Sequence, residues 1–200
     1  DGILDWVNVM TYDYNGAWQS TTAHNAPLYE NRATGNPFPS YSIHNTVTAY
    51  LAAGLRPSKL VVGMPTYGRG WSSIPSGSFN GLFASCSGSC PSRGTWEAGV
   101  LDYKDIKVNY IGQTGYTRYW DAASQVPYLY NGDVFVSYDD PESICLKSNY
   151  VMDNALGGAM VWAASSDWNH ELQSVIAQRV VDGSPCLVSK RRAGRRMLQS

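Results

Sequence analysis

A chain of 200 residues is long enough to form one domain with a substantial apolar core. Its formal net charge of −1 excludes the positive field that would attract nucleic acid, and no stretch approaches the roughly 20 apolar residues of a membrane span. We therefore expect neither partner. Tyrosine and tryptophan are abundant, with 14 and 7 residues against 4 phenylalanines. Their flat apolar faces and polar groups favour stacking on sugar rings, although aromatic-rich cores are also common.

The first predicted strand leads into the polar cluster around which we expect the chain to be organised. Residues 3–12 alternate as a buried strand does, and they run directly into Asp13, Tyr14 and Asn15. Tyr12 is the last residue of the strand. Polar groups at the tip of a core strand are typical of a site on the rim of a parallel sheet. The alternative is a plain strand end followed by an Asn-Gly turn.

A parallel β-α-β unit follows in the sequence. Residues 15–41 form a polar connection that is longer than most loops without a function. Residues 44–53 predict a helix that Ser42 caps and Gly54 ends. The continuously apolar run 60–65 predicts a strand buried on both faces. This order implies a parallel sheet with a right-handed crossover.

Aromatic and basic side chains follow the second strand as they follow the first. Tyr67, Arg69 and Trp71 come almost directly after residues 60–65, so two successive strand tips carry the same chemistry. From residue 72 to 135 the pattern changes to glycine, serine and short aromatic segments. We interpret residues 72–135 as an α+β insertion built of antiparallel strands.

The parallel pattern then returns. An Asn-Gly pair at 131–132, between Tyr130 and Val134, predicts a hairpin turn near the end of the insertion, because both turn positions favour positive φ. Residues 139–154 predict a helix with acids in its first turn, and 156–162 predict a buried strand with Trp162 at its tip. Residues 167–181 predict the last helix.

The four cysteines suggest disulfides rather than a metal site. The sequence contains no CxxC pair and no Cys/His cluster of zinc spacing, so we expect no metal and no other cofactor. Cys86 and Cys90 could close a small disulfide, and Cys145 and Cys186 a second. An even count suits an oxidising compartment, and four free thiols are the alternative.

Four segments, taken together, resemble the C-terminal part of a family-18 glycoside hydrolase, the chitinase family. Residues 10–14 (Met-Thr-Tyr-Asp-Tyr) resemble the family's sixth barrel strand, and residues 59–69 resemble the seventh with its Tyr-Gly-Arg tip. Residues 136–143 resemble the start of the seventh helix, and 157–162 resemble the eighth strand. The resemblance covers residues 1–181. It implies an α/β fold, a partial TIM-type (β/α)8 barrel of about strands six to eight with an α+β insertion.

The resemblance divides the chain into four segments. Residues 1–71 would carry barrel strands six and seven, and residues 72–135 the insertion. Residues 136–183 would carry helix seven, strand eight and helix eight. Residues 184–200 hold five basic residues and no acid, and we predict a disordered tail, with an anionic partner or a sorting signal as the alternatives.

The family cleaves β-1,4-linked N-acetylglucosamine polymers, so the resemblance implies chitin or a chito-oligosaccharide as partner. A glutamic acid protonates the glycosidic oxygen, and the substrate's own acetamido carbonyl attacks the anomeric carbon with net retention. By similarity, Tyr12 donates a hydrogen bond to that carbonyl, Asp13 binds the same sugar, and Trp162 forms the apolar floor beneath it. The other candidate substrate contacts are Met10, Trp18, Tyr67, Arg69, Trp120 and Asp121. For each of these side chains, core packing or a structural ion pair is the alternative.

One family motif is absent. The catalytic sequence Asp-x-x-Asp-x-Asp-x-Glu occurs nowhere in the 200 residues. We therefore predict that the chain is a fragment that lacks the general acid, is marginally stable and is inactive alone. The parent would be a secreted, monomeric chitinase. A chitin-binding lectin of the same fold is the alternative, and endo or exo action and a peptidoglycan substrate also stay open.

Overall fold

The computed structural model describes residues 2–113 and 115–186, which form two sheets flanked by helices. In chain order the strands are β1 (Val7–Val9), β2 (Leu60–Pro65), β3 (Tyr67–Trp71), β4 (Val100–Asp102), β5 (Thr117–Asp121), β6 (Val126–Tyr130), β7 (Phe135–Ser137) and β8 (Gly158–Trp162). The helices are α1 (Ile43–Ala52), α2 (Tyr103–Asn109), α3 (Pro141–Asp153) and α4 (Glu171–Ile176), which continues as a π-helical turn over Ala177–Val181. Short 3-10 turns cover Pro57–Lys59 and Ala164–Ser166.

A parallel sheet of order β1-β2-β8 carries the polar strand tips. The central strand β2 coincides with the predicted strand 60–65, and all of its residues except Val61 are buried. Pro65 of β2 pairs with Trp162 of β8, so these two strands end together. The predicted parallel sheet is confirmed. Within the described residues the sheet stays open at β1 and β8 and does not close into a barrel.

The first strand is shorter than the sequence pattern indicated. Only Val7–Val9 pair with β2, whereas alternation predicted a strand over residues 3–12. Ile3 and Leu4, which precede it, are exposed and lie outside the ladder. Alternation of apolar residues identifies a strand, but pairing with a neighbour decides where it ends.

The helix caps follow the predictions closely. Ser42 caps α1 by accepting a hydrogen bond from the backbone N–H of Asn45, and Gly54 follows the helix in the left-handed conformation. Asp140 and Ser143 form a reciprocal capping box at the start of α3. The last helix begins at Glu171 rather than near residue 167. Two residues before α4 have positive φ, which interrupts the helix predicted there.

The second sheet is antiparallel and has the order β4-β3-β7-β6-β5. It begins with Tyr67 and ends with Ser137, so it includes residues on both sides of the segment 72–135. The predicted hairpin turn at 131–132 is confirmed, because residues 131–134 join the antiparallel strands β6 and β7, and Gly132 takes the positive φ expected there. Asn131 does not take a positive φ. Instead its side-chain oxygen accepts hydrogen bonds from two backbone N–H groups of the turn.

Polar contacts and packing join the two sheets into one body. The hydroxyl of Tyr103 in α2 donates to Oε2 of Glu171 in α4 at 2.8 Å, and Nζ of Lys107 donates to the same carboxylate. Trp71 is fully buried in edge contact with Phe135, which makes it a core residue rather than a sugar-stacking one. The bonds to Glu171 link α2, which follows β4, to α4, which follows β8, and so connect the antiparallel sheet to the parallel one.

The cysteines form two disulfides, Cys86–Cys90 and Cys145–Cys186, as the paired alternative predicted. Among the residues that the structure covers, no helix is both long and apolar enough to cross a membrane. Most of the tail predicted over 184–200, including all its basic residues, lies outside the described residues.

Candidate active site

Most of the predicted site residues gather where the parallel sheet meets the antiparallel sheet, at Thr66. The backbone N–H of Thr66 donates to the carbonyl oxygen of Trp162 at 3.0 Å, and its hydroxyl donates to the carbonyl of Ala163. Its own carbonyl accepts from the N–H of Tyr103. Thr66 therefore fixes the start of β3, and with it Tyr67, beside the end of β8.

Asp13 lies at the centre of this group. The hydroxyl of Tyr67 donates to Oδ1 of Asp13 at 2.6 Å. Two guanidinium nitrogens of Arg69, Nε and Nη2, lie 2.9 and 2.8 Å from the same oxygen. Such charge-assisted bonds are short and about twice as strong as neutral ones. Two strand tips that were predicted to share chemistry are thus joined directly, and the Asp13 carboxylate remains exposed on its other side.

Tyr12 is buried next to Asp13 and presents a phenol with a weak partner. Its hydroxyl lies 3.9 Å from the sulfur of Met160, and its ring meets that of Tyr67 edge-on, with centroids 6.1 Å apart. Burial, followed by the nearby Asp13 carboxylate, raises the pKa of Tyr12 above its usual value. The phenol therefore keeps its proton, and a thioether is a poor acceptor for it. A carbonyl oxygen brought to this position would be a better one.

Gly63 makes room for the Tyr12 ring. A Cβ atom at position 63 would lie 2.6 Å from the carbonyl oxygen of Val9 and 2.8 Å from Tyr12. The glycine in the run Val-Val-Gly-Met-Pro is therefore required by the close approach of a neighbouring strand and its aromatic side chain.

Trp18 extends the group towards the long connection. The guanidinium carbon of Arg69 lies 4.9 Å from the centre of the Trp18 ring, at a cation–π distance. A Cβ atom on Gly16 would lie within 2.1 Å of the same ring, so the indole rests on the glycine backbone. Trp18 is exposed, and it is held by these two contacts.

Trp162 and Met10 supply exposed apolar surface at the tips of the parallel strands. Trp162 is 60 % exposed and Met10 is 71 % exposed. Trp162 lies two residues after Met160 on β8, so it faces the same side as the Met160 sulfur near Tyr12. An exposed indole about 7 Å along β8 from Met160, whose sulfur contacts the buried Tyr12 phenol, suits the floor of a sugar site.

Trp120 and Asp121 lie elsewhere, on the far edge strand β5. Two strands, β7 and β6, separate β5 from the Tyr67 strand, which is about 14 Å at the usual strand spacing. Oδ2 of Asp121 accepts from Nε2 of His24 at 2.9 Å and from Asn31 at 2.8 Å. The Asp121 side chain is only 9 % exposed, and its carboxylate is bonded to other residues of the chain. We therefore revise the prediction for Asp121 from a substrate contact to a structural residue.

Trp120 also differs from the sequence expectation. Its ring lies under the guanidinium of Arg118, 5.2 Å from the centroid, and Arg118 binds the carboxylate of Asp140. These contacts engage Trp120 within the antiparallel sheet, at a distance from the Tyr12 and Asp13 group. The local sequence Tyr-Trp-Asp carries no information about which edge of the sheet it occupies.

Trp96 is a residue that sequence reasoning missed. It is 82 % exposed, and its indole N–H donates to Oδ2 of Asp102 at 3.0 Å. Asp102 pairs with Tyr67 across β3 and β4, which places Trp96 next to the group. Lys104 lies 3.3 Å from the same carboxylate. A lone tryptophan in a glycine- and serine-rich loop was the available signal.

The described residues therefore join phenols, a carboxylate and exposed indoles around one sheet edge, which is typical of a carbohydrate-binding cleft. Within 2–113 and 115–186, no three His, Cys, Asp or Glu side chains come together as a metal ion would require. The sequence model described as "Glycosyl hydrolases family 18" matches residues 2–167. The chain belongs to this family.

Individual relatives agree with this assignment. The chain is 47 % identical to Chitinase A1 of Niallia circulans over 178 residues, which are 86 % of this chain and 25 % of that protein. Its structure is similar to chitinase ChiA74 from Bacillus thuringiensis, with a TM-score of 0.85, 36 % identity and coverage of 92 % and 32 %. It is also similar to the Group IV chitinase of Ostrinia furnacalis in complex with allosamidin, with a TM-score of 0.80, 30 % identity and coverage of 92 % and 52 %. The chain thus spans about a quarter to a half of these relatives.

Proposed function

We propose that this chain forms the substrate-holding part of a site that hydrolyses β-1,4-linked N-acetylglucosamine polymers with retention. The observation that carries the proposal is the pairing of a protonated, weakly bonded phenol, Tyr12, with the exposed carboxylate of Asp13. Tyr12 would donate its proton in a hydrogen bond to the acetamido carbonyl and so aim that oxygen at the anomeric carbon. Holding the attacking oxygen in this orientation lowers the entropic part of the activation free energy of hydrolysis.

Asp13 has a complementary role in the proposal. The hydrogen bonds from Tyr67 and Arg69 converge on Oδ1, and we assign Oδ2 to the N–H of the acetamido group. A carboxylate accepting that N–H stabilises the positive charge that the group acquires as its carbonyl attacks. Tyr67 and Arg69 keep the carboxylate in this orientation.

The apolar side chains would bind the sugar rings. Trp162 forms the floor of the cleavage subsite, since an indole face matches the axial C–H bonds of a pyranose. Met10 lines the wall beside it. Trp18 and Trp96, both exposed and held by polar neighbours, would stack on adjacent sugars.

The proposal also requires a general acid that protonates the glycosidic oxygen. The family's acidic motif is absent from the 200 residues, and Asp13 is engaged as an acceptor. We propose that residues outside this sequence supply the glutamic acid and that the 200-residue chain alone is inactive. The three relatives named above are chitinases, which favours an enzyme over a lectin. Two disulfides support an extracellular parent, and we propose that the parent is monomeric.

The test is hydrolysis of chitohexaose by the full-length gene product, with the anomer of the first product followed by proton NMR. Retention predicts that the β-anomer appears first and then mutarotates. Initial release of the α-anomer would exclude the acetamido mechanism. Binding to chitin beads without hydrolysis would instead support the lectin alternative.

A further inference from the structure

Asn25 lies behind the site and contacts three of the elements that form it. It is 1 % exposed, on the connection between β1 and α1. Its side-chain oxygen accepts from the backbone N–H of Asp13 at 2.9 Å, and its side-chain amide donates to the carbonyl of Tyr67 at 3.3 Å. Its backbone N–H donates to Oγ of Ser137, and its carbonyl accepts from the N–H of Tyr14.

The backbone of Asp13 needs such support. Its φ is +56°, in the left-handed region that residues other than glycine enter only at a steric cost. Aspartate tolerates this region better than most residues, but a fixed partner must select it. The bond between the Asp13 N–H and the Asn25 side chain is such a partner. With this backbone, the carboxylate of Asp13 reaches Tyr67 and Arg69.

We propose that Asn25 is a positioning residue that holds Asp13 in its left-handed conformation and so aims the Asp13 carboxylate at the substrate. The inference rests on the role proposed for Asp13, because the buried amide of Asn25 acts only through that residue. One side chain sets both partners of the Asp13–Tyr67 bond, since it binds the backbone of each. A small displacement of a group that orients substrate is enough to slow a reaction about 100-fold.

If Asn25 only stabilised the fold, replacing it would have the same effects as replacing another buried polar residue of the same connection. Thr22 provides that matched control. Thr22 is fully buried on the same connection, and its hydroxyl donates to the carbonyl of Gly81 at 2.6 Å. It also accepts from the N–H of Ala84. Thr22→Val removes buried polar contacts of the same connection, but these contacts lead away from Asp13.

The first measurement is amide hydrogen exchange in the full-length gene product. Asn25→Ala removes the acceptor for the Asp13 N–H, whereas the Tyr14 N–H keeps its bond to a backbone carbonyl. We expect protection at Asp13 to fall about 10-fold or more relative to Val9, and Thr22→Val to lower both residues equally. Equal loss at Asp13 and Val9 in Asn25→Ala would overturn the proposal.

The second measurement separates kcat from KM on chitohexaose. Asn25→Ala should lower kcat by about 10- to 100-fold with KM changed less than about threefold, while Thr22→Val changes neither per folded molecule. Asn25→Asp restores the acceptor and should recover part of kcat, most at acidic pH, where a protonated carboxyl can also donate to the Tyr67 carbonyl. Equal kcat losses in the Asn25→Ala and Thr22→Val variants would contradict the inference. If the wild-type protein hydrolyses nothing, the proposed function fails, and the exchange at Asp13 alone decides the role of Asn25.

Discussion

The hydroxyl of Tyr67 donates to Oδ1 of Asp13 at 2.6 Å, and this bond joins the first strand of the antiparallel sheet to the tip of the parallel sheet. Fifty-four positions separate the two residues. Burial, followed by the hydrogen bond to Asp13, raises the pKa of Tyr67, so the phenol remains the donor. The Asp13 carboxylate, which we propose binds the substrate, is therefore held at Oδ1 by a neutral phenol and an arginine.

Tyr67→Phe should weaken that hold without disturbing the core. A hydrogen bond to a charged group contributes about 1.5 to 3 kcal/mol, so we expect kcat/KM on chitohexaose to fall about 10- to 100-fold in the full-length gene product, which is used for all the kinetic measurements below. Arg69 continues to bind Oδ1, which limits the loss. Tyr130→Phe is the control, because its buried hydroxyl donates to the Ile74 carbonyl in the insertion core. Tyr130→Phe should lower Tm and leave kcat/KM unchanged. A lowered Tm with unchanged kcat/KM in Tyr67→Phe would instead remove Tyr67 from the site.

Tyr12→Phe should act on turnover. The lost hydroxyl contacts a thioether in the free protein, so stability should change by less than about 0.5 kcal/mol. Loss of a donor that orients and polarises the attacking carbonyl should lower kcat about 100- to 1000-fold, with little change in KM. The control is Tyr14→Phe, which removes a neighbouring phenol bonded to Thr46 and Ser42. Unchanged turnover in Tyr12→Phe would exclude Tyr12 from the mechanism.

Two tryptophans that look alike in sequence should respond in opposite ways. Trp71 is fully buried against Phe135, and truncation to alanine should cost about 3 to 5 kcal/mol of unfolding free energy. Trp162 is 60 % exposed, and truncation should leave Tm nearly unchanged but raise the Kd for chitotetraose about 10-fold. Calorimetric titration and thermal unfolding of both variants measure this. A large fall in Tm for Trp162→Ala would make it a packing residue.

Local pattern was sufficient for part of the fold and of the site. Residues 60–65 are apolar without interruption, so β2 could be predicted to its exact bounds. Tyr12, Asp13, Tyr67 and Arg69 could be grouped because parallel strands end on a common edge. Such reasoning depends only on the order of neighbouring elements.

The local sequence pattern could not predict how distant segments of the chain pair with one another. Asp121 finds His24 across 97 positions, and nothing in the sequence around either residue identifies the other. Trp96 lies beside Tyr67 only because Asp102, to which it is bonded, pairs with Tyr67 across β3 and β4, a register that glycine-rich sequence leaves undetermined. The left-handed backbone of Asp13 also escaped prediction, since it depends on Asn25.

Asp121 gives the protein a specific dependence of stability on acid. Burial alone would raise the pKa of this carboxyl, but the hydrogen bonds and charge of His24, with Asn31, lower it below its usual value. A group whose folded pKa is depressed stabilises the fold above its unfolded pKa of about 3.9 and loses that contribution as pH falls towards the folded value.

Asp121→Asn should therefore lower the free energy of unfolding by about 1 to 3 kcal/mol at pH 7, and the difference from wild type should shrink steadily below about pH 4. The comparison requires chemical denaturation of both proteins across this range. Asp133→Asn, at an exposed turn on the same sheet, is the control and should show no such difference. A gap between Asp121→Asn and wild type that stays constant down to pH 2.5 would mean that the carboxylate charge contributes nothing. The role of Asp121 would then be limited to its shape and its neutral hydrogen bonds.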